Sequence, residues 1–197
     1  MTNTALILVD MQNAFCSKQG SFRKRGNSII NLNNAIKTTK LLLDFARKKK
    51  WLIIFTKLAY KLDYSDAGLL IKRNPKIRKF RGYIENTWDS QIVDVLKPHE
   101  NEIIIVKKRY DSFYDTNLEE ILKKNNIKKL IVAGLLTNIC VESLVRSAFD
   151  RDFKVILVKD GTSTFSKEIY SDSLKTIQKH FAKIMDFDKL KISADFC

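Results

Sequence analysis

Six short runs rich in Ile, Val and Leu recur along the chain, each close to continuously apolar. They read TALILVD (4–10), WLIIFTK (51–57), EIIIVKK (102–108), KLIVAG (129–134), KVILVKD (154–160) and AKIMDF (182–187). A strand with one wet face alternates apolar and polar residues. Runs without alternation ask for burial on both faces, which a parallel sheet covered by helices supplies. The stretches between the runs have helical spacing. Residues 28–49 put Ile29, Leu32, Ile36, Leu43 and Ala46 near one stripe, and residues 89–96 open on Asp89 as a cap. Residues 117–125 carry acids early and lysines late, which suits the helix dipole. Residues 138–151 and 166–180 supply two more helices. Strands alternating with helices imply right-handed crossovers and a three-layer α/β/α sandwich, here as a single domain over residues 1–197. Residues 58–88 are the least regular part, a long connection of the kind that covers a site.

Composition narrows the classes. With 45% hydrophobic and 29% charged residues, the chain is globular rather than disordered. No stretch approaches the roughly 18 to 20 apolar residues that span a bilayer, so no membrane association is expected. The opening MTNTALILVDMQ reads as a first strand, not a secretory signal. Three cysteines, Cys16, Cys140 and Cys197, include no CxxC pair and suit free thiols in a reducing cytoplasm. The net charge of +14 is spread over nearly every helical segment, as a solvated surface would be, and nucleic acid is not the expected partner. One dense acid-free cluster stands out, KRNPKIRKFR at 72–81. It fits an exposed loop, a phosphate-contacting patch through Arg73, Arg78 and Arg81, or the rim of a site for an anionic substrate.

In an open parallel sheet, ligands bind beyond the carboxyl ends of the strands. Three polar residues fall there: Asp10 after the first strand, Lys107 at the end of the third, and Cys140 after the fourth. In TNICVESLVRSAFDRD, the residues Val141, Leu144, Val145 and Ala148 have helical spacing, so Cys140 lies in a first turn. Free amides and the positive dipole end there favour a thiolate, which attacks carbonyl carbon. From position alone, a small buried apolar cysteine is the simpler account. Asp10 could equally cap a turn, and Lys107 could reach solvent, as Lys108 and Arg109 are expected to do. Taken together, a carboxylate beside the thiol can move its proton, an ammonium can offset both negative charges, and amides of the GLLTNIC turn can hold an oxyanion.

Three blocks, ALILVDMQNAF (5–15), VKKRYDSFYDTNLEEIL (106–122) and VAGLLTNICVESLVRSAFDRDFKVILVKDGTST (132–164), resemble the isochorismatase-like cysteine hydrolases in order and spacing. The resemblance runs to about residue 185. It implies a six-stranded parallel sheet in the order 3-2-1-4-5-6 and an Asp–Lys–Cys triad on Asp10, Lys107 and Cys140. The family's cis peptide bond would fall on Leu135–Leu136 and aim the N–H of Leu136 into the site beside that of Cys140, as an oxyanion hole. The family's metal-binding nicotinamidases carry an Asp-x-His pair after the second strand. This chain reads FTKLAYKLDYSDAG there, and its two histidines, His99 and His180, fall elsewhere, so neither metal nor other cofactor is expected.

The stretches NAFCSKQGSF (13–22), SDAGLL (65–70) and WDSQIVDVLKP (88–98) look most like the branch that hydrolyses ureido and N-carbamoyl compounds. Two departures are Ala14, where the family usually has Asp, and Asp111 in RYDSF, where RYSAF is commoner. The retained Cys140 favours covalent cleavage of a small amide or ureide over the family's vinyl-ether chemistry. A basic nucleic-acid-binding protein on the same fold is a further alternative. Phe15 and Tyr110 are candidate pocket walls, with core packing an even alternative. Trp88 reads as a loop anchor, and Cys16 and Cys197 as bystanders. The resemblance also implies a homo-oligomer.

Overall fold

The computed structural model describes residues 3–195, and Cys197 lies outside them. Its centre is a parallel sheet in the order β3-β2-β1-β4-β5-β6. The strands are β1 (Thr4–Val9), β2 (Leu52–Leu58), β3 (Ile103–Lys107), β4 (Lys129–Leu135), β5 (Lys154–Ser163) and β6 (Lys183–Met185). All six positions of β1 are buried. Its side chains alternate between two cores. Leu6 and Leu8 join one cluster, while Ala5, Ile7 and Val9 join the other. Each leucine buried in this way stabilises the fold by about 1.5–3 kcal/mol. The unbroken apolar run is thus explained by helices on both faces.

The helices are α1 (Asn13–Cys16), α2 (Ser21–Lys24), α3 (Leu32–Lys48), α4 (Leu69–Arg73), α5 (Lys76–Lys79), α6 (Leu118–Lys124), α7 (Glu142–Phe149), α8 (Lys167–His180) and α9 (Phe187–Asp195). Helix α3 packs Leu42, Leu43 and Ala46 on the Leu6 side, joined by Phe187 and Leu190 of α9. Helices α6, α7 and α8 cover the other face through Leu118, Leu122, Leu144, Val145, Ala148 and Ile177. Among the described residues, no helix is long and apolar enough to cross a membrane.

Several boundaries differ from the sequence expectation. The helix expected from residue 28 begins at Leu32, because Asn31 is left-handed (φ 47°) and the Ile30 amide bonds Thr164 O across the fold. The helix expected over 89–96 is two short 3-10 turns, Trp88–Ser90 and Asp94–Leu96. Between them Ile92 bridges to Gln12, and the Val93 amide bonds Met11 O. Tertiary pairing there replaces helical bonds. Strand β6 stops early because the Asp186 carboxylate accepts from the Lys189 amide at 2.9 Å and starts α9, a helix the periodicity did not suggest.

One glycine decides how closely the central strands meet. Gly134 lies opposite Val9 with φ +122°, and a Cβ there would fall 2.1 Å from Val9 O. Only glycine tolerates both conditions. The close approach brings the end of β4 against the end of β1.

Candidate active site

The site forms where β1, β2, β3 and β4 end. Asp10 follows β1 in a left-handed conformation (φ 51°) and is fully buried. Its amide donates to Thr56 O at 3.1 Å, and Thr56 Oγ1 donates to Asp10 Oδ1 at 2.7 Å. Thr56 belongs to β2, in register with Val9, so strand pairing itself orients the carboxylate. Lys107 closes β3 and is also fully buried. Its Nζ reaches across β2 to within 2.8 Å of Asp10 Oδ2 and donates to the carbonyls of Arg109 and Tyr110 at 3.1 and 3.0 Å. The two opposite charges thus form a fully buried ion pair at 2.8 Å.

Cys140 lies in a π-helical turn, Thr137–Val141, that runs into α7. Such turns put one extra residue into a helix and re-aim its side chains. Cys140 is 4% exposed and lies close enough to Asp10 and Lys107 for both charges to bear on its thiol. The two preceding residues, Leu135 and Leu136, are joined by a cis peptide bond. Leu136 is buried, and its carbonyl accepts from the amides of Ile139 and Val141, which closes the turn.

The electrostatics revise one expectation. Dipole and amides at the helix start were expected to favour a thiolate. In the structure burial pushes the Cys140 thiol well up, the Asp10 charge adds to that, and the Lys107 ammonium opposes it without prevailing. Burial thus favours the neutral thiol. Burial alone would lower Lys107, but the Asp10 carboxylate, and a thiolate at Cys140 whenever one forms, outweigh it and the ammonium is held above its ordinary range. The arrangement is a buried thiol beside a carboxylate that can take its proton and a cation that stays charged.

Lys108, next in sequence, points the other way. It bonds Ala59 O at 2.7 Å and pairs with Asp66 at 2.9 Å and with Glu85. Arg109 donates to Asp66 O at 2.9 Å and to Lys108 O at 2.8 Å. Neither is sent to solvent as expected; both tie down the 58–88 connection. Asp111 does not face the thiol. It accepts from Ser147 Oγ of α7 at 2.7 Å and from the Phe113 amide at 3.0 Å, pinning the loop after β3 to the helix after Cys140.

Phe15 stacks on Tyr83 at 5.1 Å and meets Phe22 at 5.2 Å within the core. Tyr110 is 38% exposed, and burial followed by the charge of Cys140 raises its hydroxyl pKa. Trp88 is 45% exposed; its carbonyl, not its ring, anchors the loop by accepting from Asn13 Nδ2 at 2.9 Å. Cys16 lines a groove with Phe22, Asn27 and Asn34. Tyr60, Tyr83 and Arg25 were not foreseen. Both tyrosines have their hydroxyls raised chiefly by burial and lie near enough to Cys140 for a thiolate there to add to it, and Arg25 stacks over Tyr83 and donates to its hydroxyl. Both tyrosines come from the 58–88 connection, where no periodicity marks which side chains face inward. Thr56 did leave a signal, as a polar residue inside a buried apolar run.

A family model described as "Isochorismatase domain" matches residues 4–189. The chain belongs to the isochorismatase family. Among curated relatives of this family, the ureidoacrylate amidohydrolase RutB of Agrobacterium fabrum is 30% identical, covering 94% of this chain and 89% of its own length. RutB of Rhizobium rhizogenes is also 30% identical, with 94% and 82% covered. A cysteine hydrolase from Pseudomonas syringae pv. phaseolicola superposes with a TM-score of 0.87 at 24% identity, covering 96% of this chain and 92% of that one. N-carbamoylsarcosine amidase from Thermoplasma acidophilum superposes at 0.73 with 21% identity, covering 94% and 96%. At those identities the likeness is one of fold. The sheet order is the isochorismatase-like one.

Proposed function

We propose that the chain is a cysteine amidohydrolase that cleaves a small amide, ureido or N-carbamoyl compound through an acyl-enzyme on Cys140. It is a hydrolase of carbon–nitrogen bonds other than peptide bonds. One observation carries the reading: Cys140, Asp10 and Lys107 are buried together at the strand ends, with the Lys107 ammonium 2.8 Å from the Asp10 carboxylate and both charges bearing on the thiol. Asp10 takes the thiol proton as Sγ attacks the carbonyl carbon. The oxyanion is held by the N–H groups of Leu136 and Cys140. Asp10 then protonates the leaving nitrogen, and ammonia or an amine departs. Water attacks the acyl carbon, gives a proton to Asp10, and the thiol is restored as the acid leaves. Lys107 stays positive throughout, 2.8 Å from the Asp10 carboxylate that carries the proton back and forth. Phe15 and Tyr110 serve as walls for the substrate.

The names of the curated relatives support a ureide as substrate class. In the basic 72–81 segment, exposed Arg78 donates to Asp63 O at 3.0 Å and lies over the Tyr64 ring, which ties it to the 58–88 connection. Self-association belongs to the same reading, since edge strand β3 leaves Ile104 and Val106 44% and 40% exposed. Gel filtration with light scattering counts the subunits.

The test is ammonia release across nicotinamide, biuret, ureidoacrylate, N-carbamoylsarcosine and simple amides, with pyruvate release from a vinyl ether alongside. Cys140→Ala should abolish turnover, and mass spectrometry of the quenched wild type should show an adduct on Cys140. Full activity in that variant would end the proposal.

A further inference from the structure

Besides the triad, the site holds a buried polar group that no protein atom satisfies. Tyr60 comes two residues after β2. Its amide donates to Tyr83 O at 2.7 Å, its carbonyl accepts from Glu85 N at 2.8 Å, and the segment bridges to Ile84. The backbone is thus held from both sides. The ring packs edge-on to Tyr83 at 6.4 Å and tilted against Tyr64 at 6.1 Å. The side chain is 0% exposed, yet among the described residues its hydroxyl has no hydrogen-bond partner.

Its position follows from the sheet. Leu58 is in register with Lys107, and the Ala59 amide bonds Lys107 O at 3.2 Å. Strand β2 lies between β1 and β3, so Tyr60 leaves the sheet between Asp10 and Lys107. The Leu136 and Cys140 amides follow β4, on the far side of β1. Tyr60 lies near Cys140 and Asp10; burial is the main cause that raises its pKa and keeps the phenol neutral, and the Asp10 carboxylate adds to it. A neutral phenol both donates and accepts a hydrogen bond. Purely as packing, phenylalanine would fill the same space without stranding a hydroxyl, which folded proteins rarely do.

We propose that the Tyr60 hydroxyl hydrogen-bonds the bound substrate at its polar group on the leaving-nitrogen side, holding the scissile C–N bond between Cys140 Sγ and the Asp10 carboxylate. This rests on the amidohydrolase reading. It makes Tyr60 a catalytic residue by contact with substrate, working from the side opposite the oxyanion amides.

The experiment compares wild type, Tyr60→Phe and Cys140→Ala on biuret, ureidoacrylate and N-carbamoylsarcosine, with kinetics on whichever releases ammonia fastest. Tyr60→Phe should lower kcat/KM about tenfold, the scale of one lost neutral hydrogen bond in a dry site. The unliganded melting temperature should hold or rise, because the variant removes only an unpaired group. Cys140-dependent turnover that Tyr60→Phe leaves unchanged overturns the inference and spares the amidohydrolase reading. A melting temperature that falls together with activity assigns Tyr60 a structural role and also overturns it. If no compound is hydrolysed, or Cys140→Ala is as active as wild type, the amidohydrolase reading falls and the inference with it.

Discussion

Replacing Lys107 with Met isolates the electrostatic core of the site. Lys107 and Asp10 are both 0% exposed, with Nζ and Oδ2 2.8 Å apart. Their attraction largely offsets the desolvation of two ions, so the intact pair adds little net stability. Removing the cation alone leaves an uncompensated buried carboxylate, at a cost of about 3–5 kcal/mol. Total stability for such a chain is on the order of 5–15 kcal/mol, so the variant should be visibly fragile. At about 2–4 °C per kcal/mol for a chain of this size, its melting temperature should drop by about 6–20 °C. Adding Asp10→Asn removes the stranded charge and should recover most of that loss. Urea unfolding of wild type, both single variants and the double variant completes the cycle. Lys107→Met as stable as wild type, or a double variant no better than it, would refute the reasoning. The pH dependence has a definite sign. The folded pKa of Lys107 is raised, so its contribution is complete below the unfolded value of about 10.4 and is lost only as pH climbs through the folded value. The gap between wild type and Lys107→Met should therefore stay flat from neutral pH to about 10, then narrow.

Two further outcomes follow from the same geometry. Asp10→Asn should abolish hydrolysis yet speed iodoacetamide alkylation of Cys140 at mildly alkaline pH. The carboxylate is among the groups that raise the thiol pKa, and the variant removes it while Lys107 remains; equal or slower alkylation would contradict that account. Gly134→Ala puts a Cβ 2.1 Å from Val9 O at φ +122°, so thermal unfolding should show a loss beyond about 4 kcal/mol or no soluble protein; unchanged stability would mean that β1 and β4 separate at little cost.

The sheet was legible because burial on both faces leaves a pattern that survives without structural context. Each of the six apolar runs is a strand, and strand ends locate Asp10 and Lys107. Choosing Lys107 over Lys108 needed the family resemblance, since two adjacent lysines look alike until register assigns them to opposite sides. What stayed hidden was set by long-range contacts. Residues 89–96 carry a good helical pattern, but pairing with Gln12 and Met11 competes successfully for their backbone groups. Tyr60 and Tyr83 lie in a segment held by Asp89, which accepts from the Ser21 and Tyr83 amides at 2.8 Å each, and by the Lys108 pairs. No local pattern announces such ties. The depth of the thiol stayed hidden for a similar reason: first-turn placement can be read from residues, whereas the burial that raises its pKa cannot.

The paired lysines at the end of β3 separate two jobs on one dipeptide. In the proposed reaction Lys107 serves the chemistry, while Lys108 grips Asp66, Glu85 and the Ala59 carbonyl of the overlying segment. The cover that shapes the substrate's space is thus moored beside the reactive centre without sharing its groups. An engineer could rewrite the stretch between those moorings to admit a bulkier or differently charged ureide and leave the proton-transfer machinery as it stands.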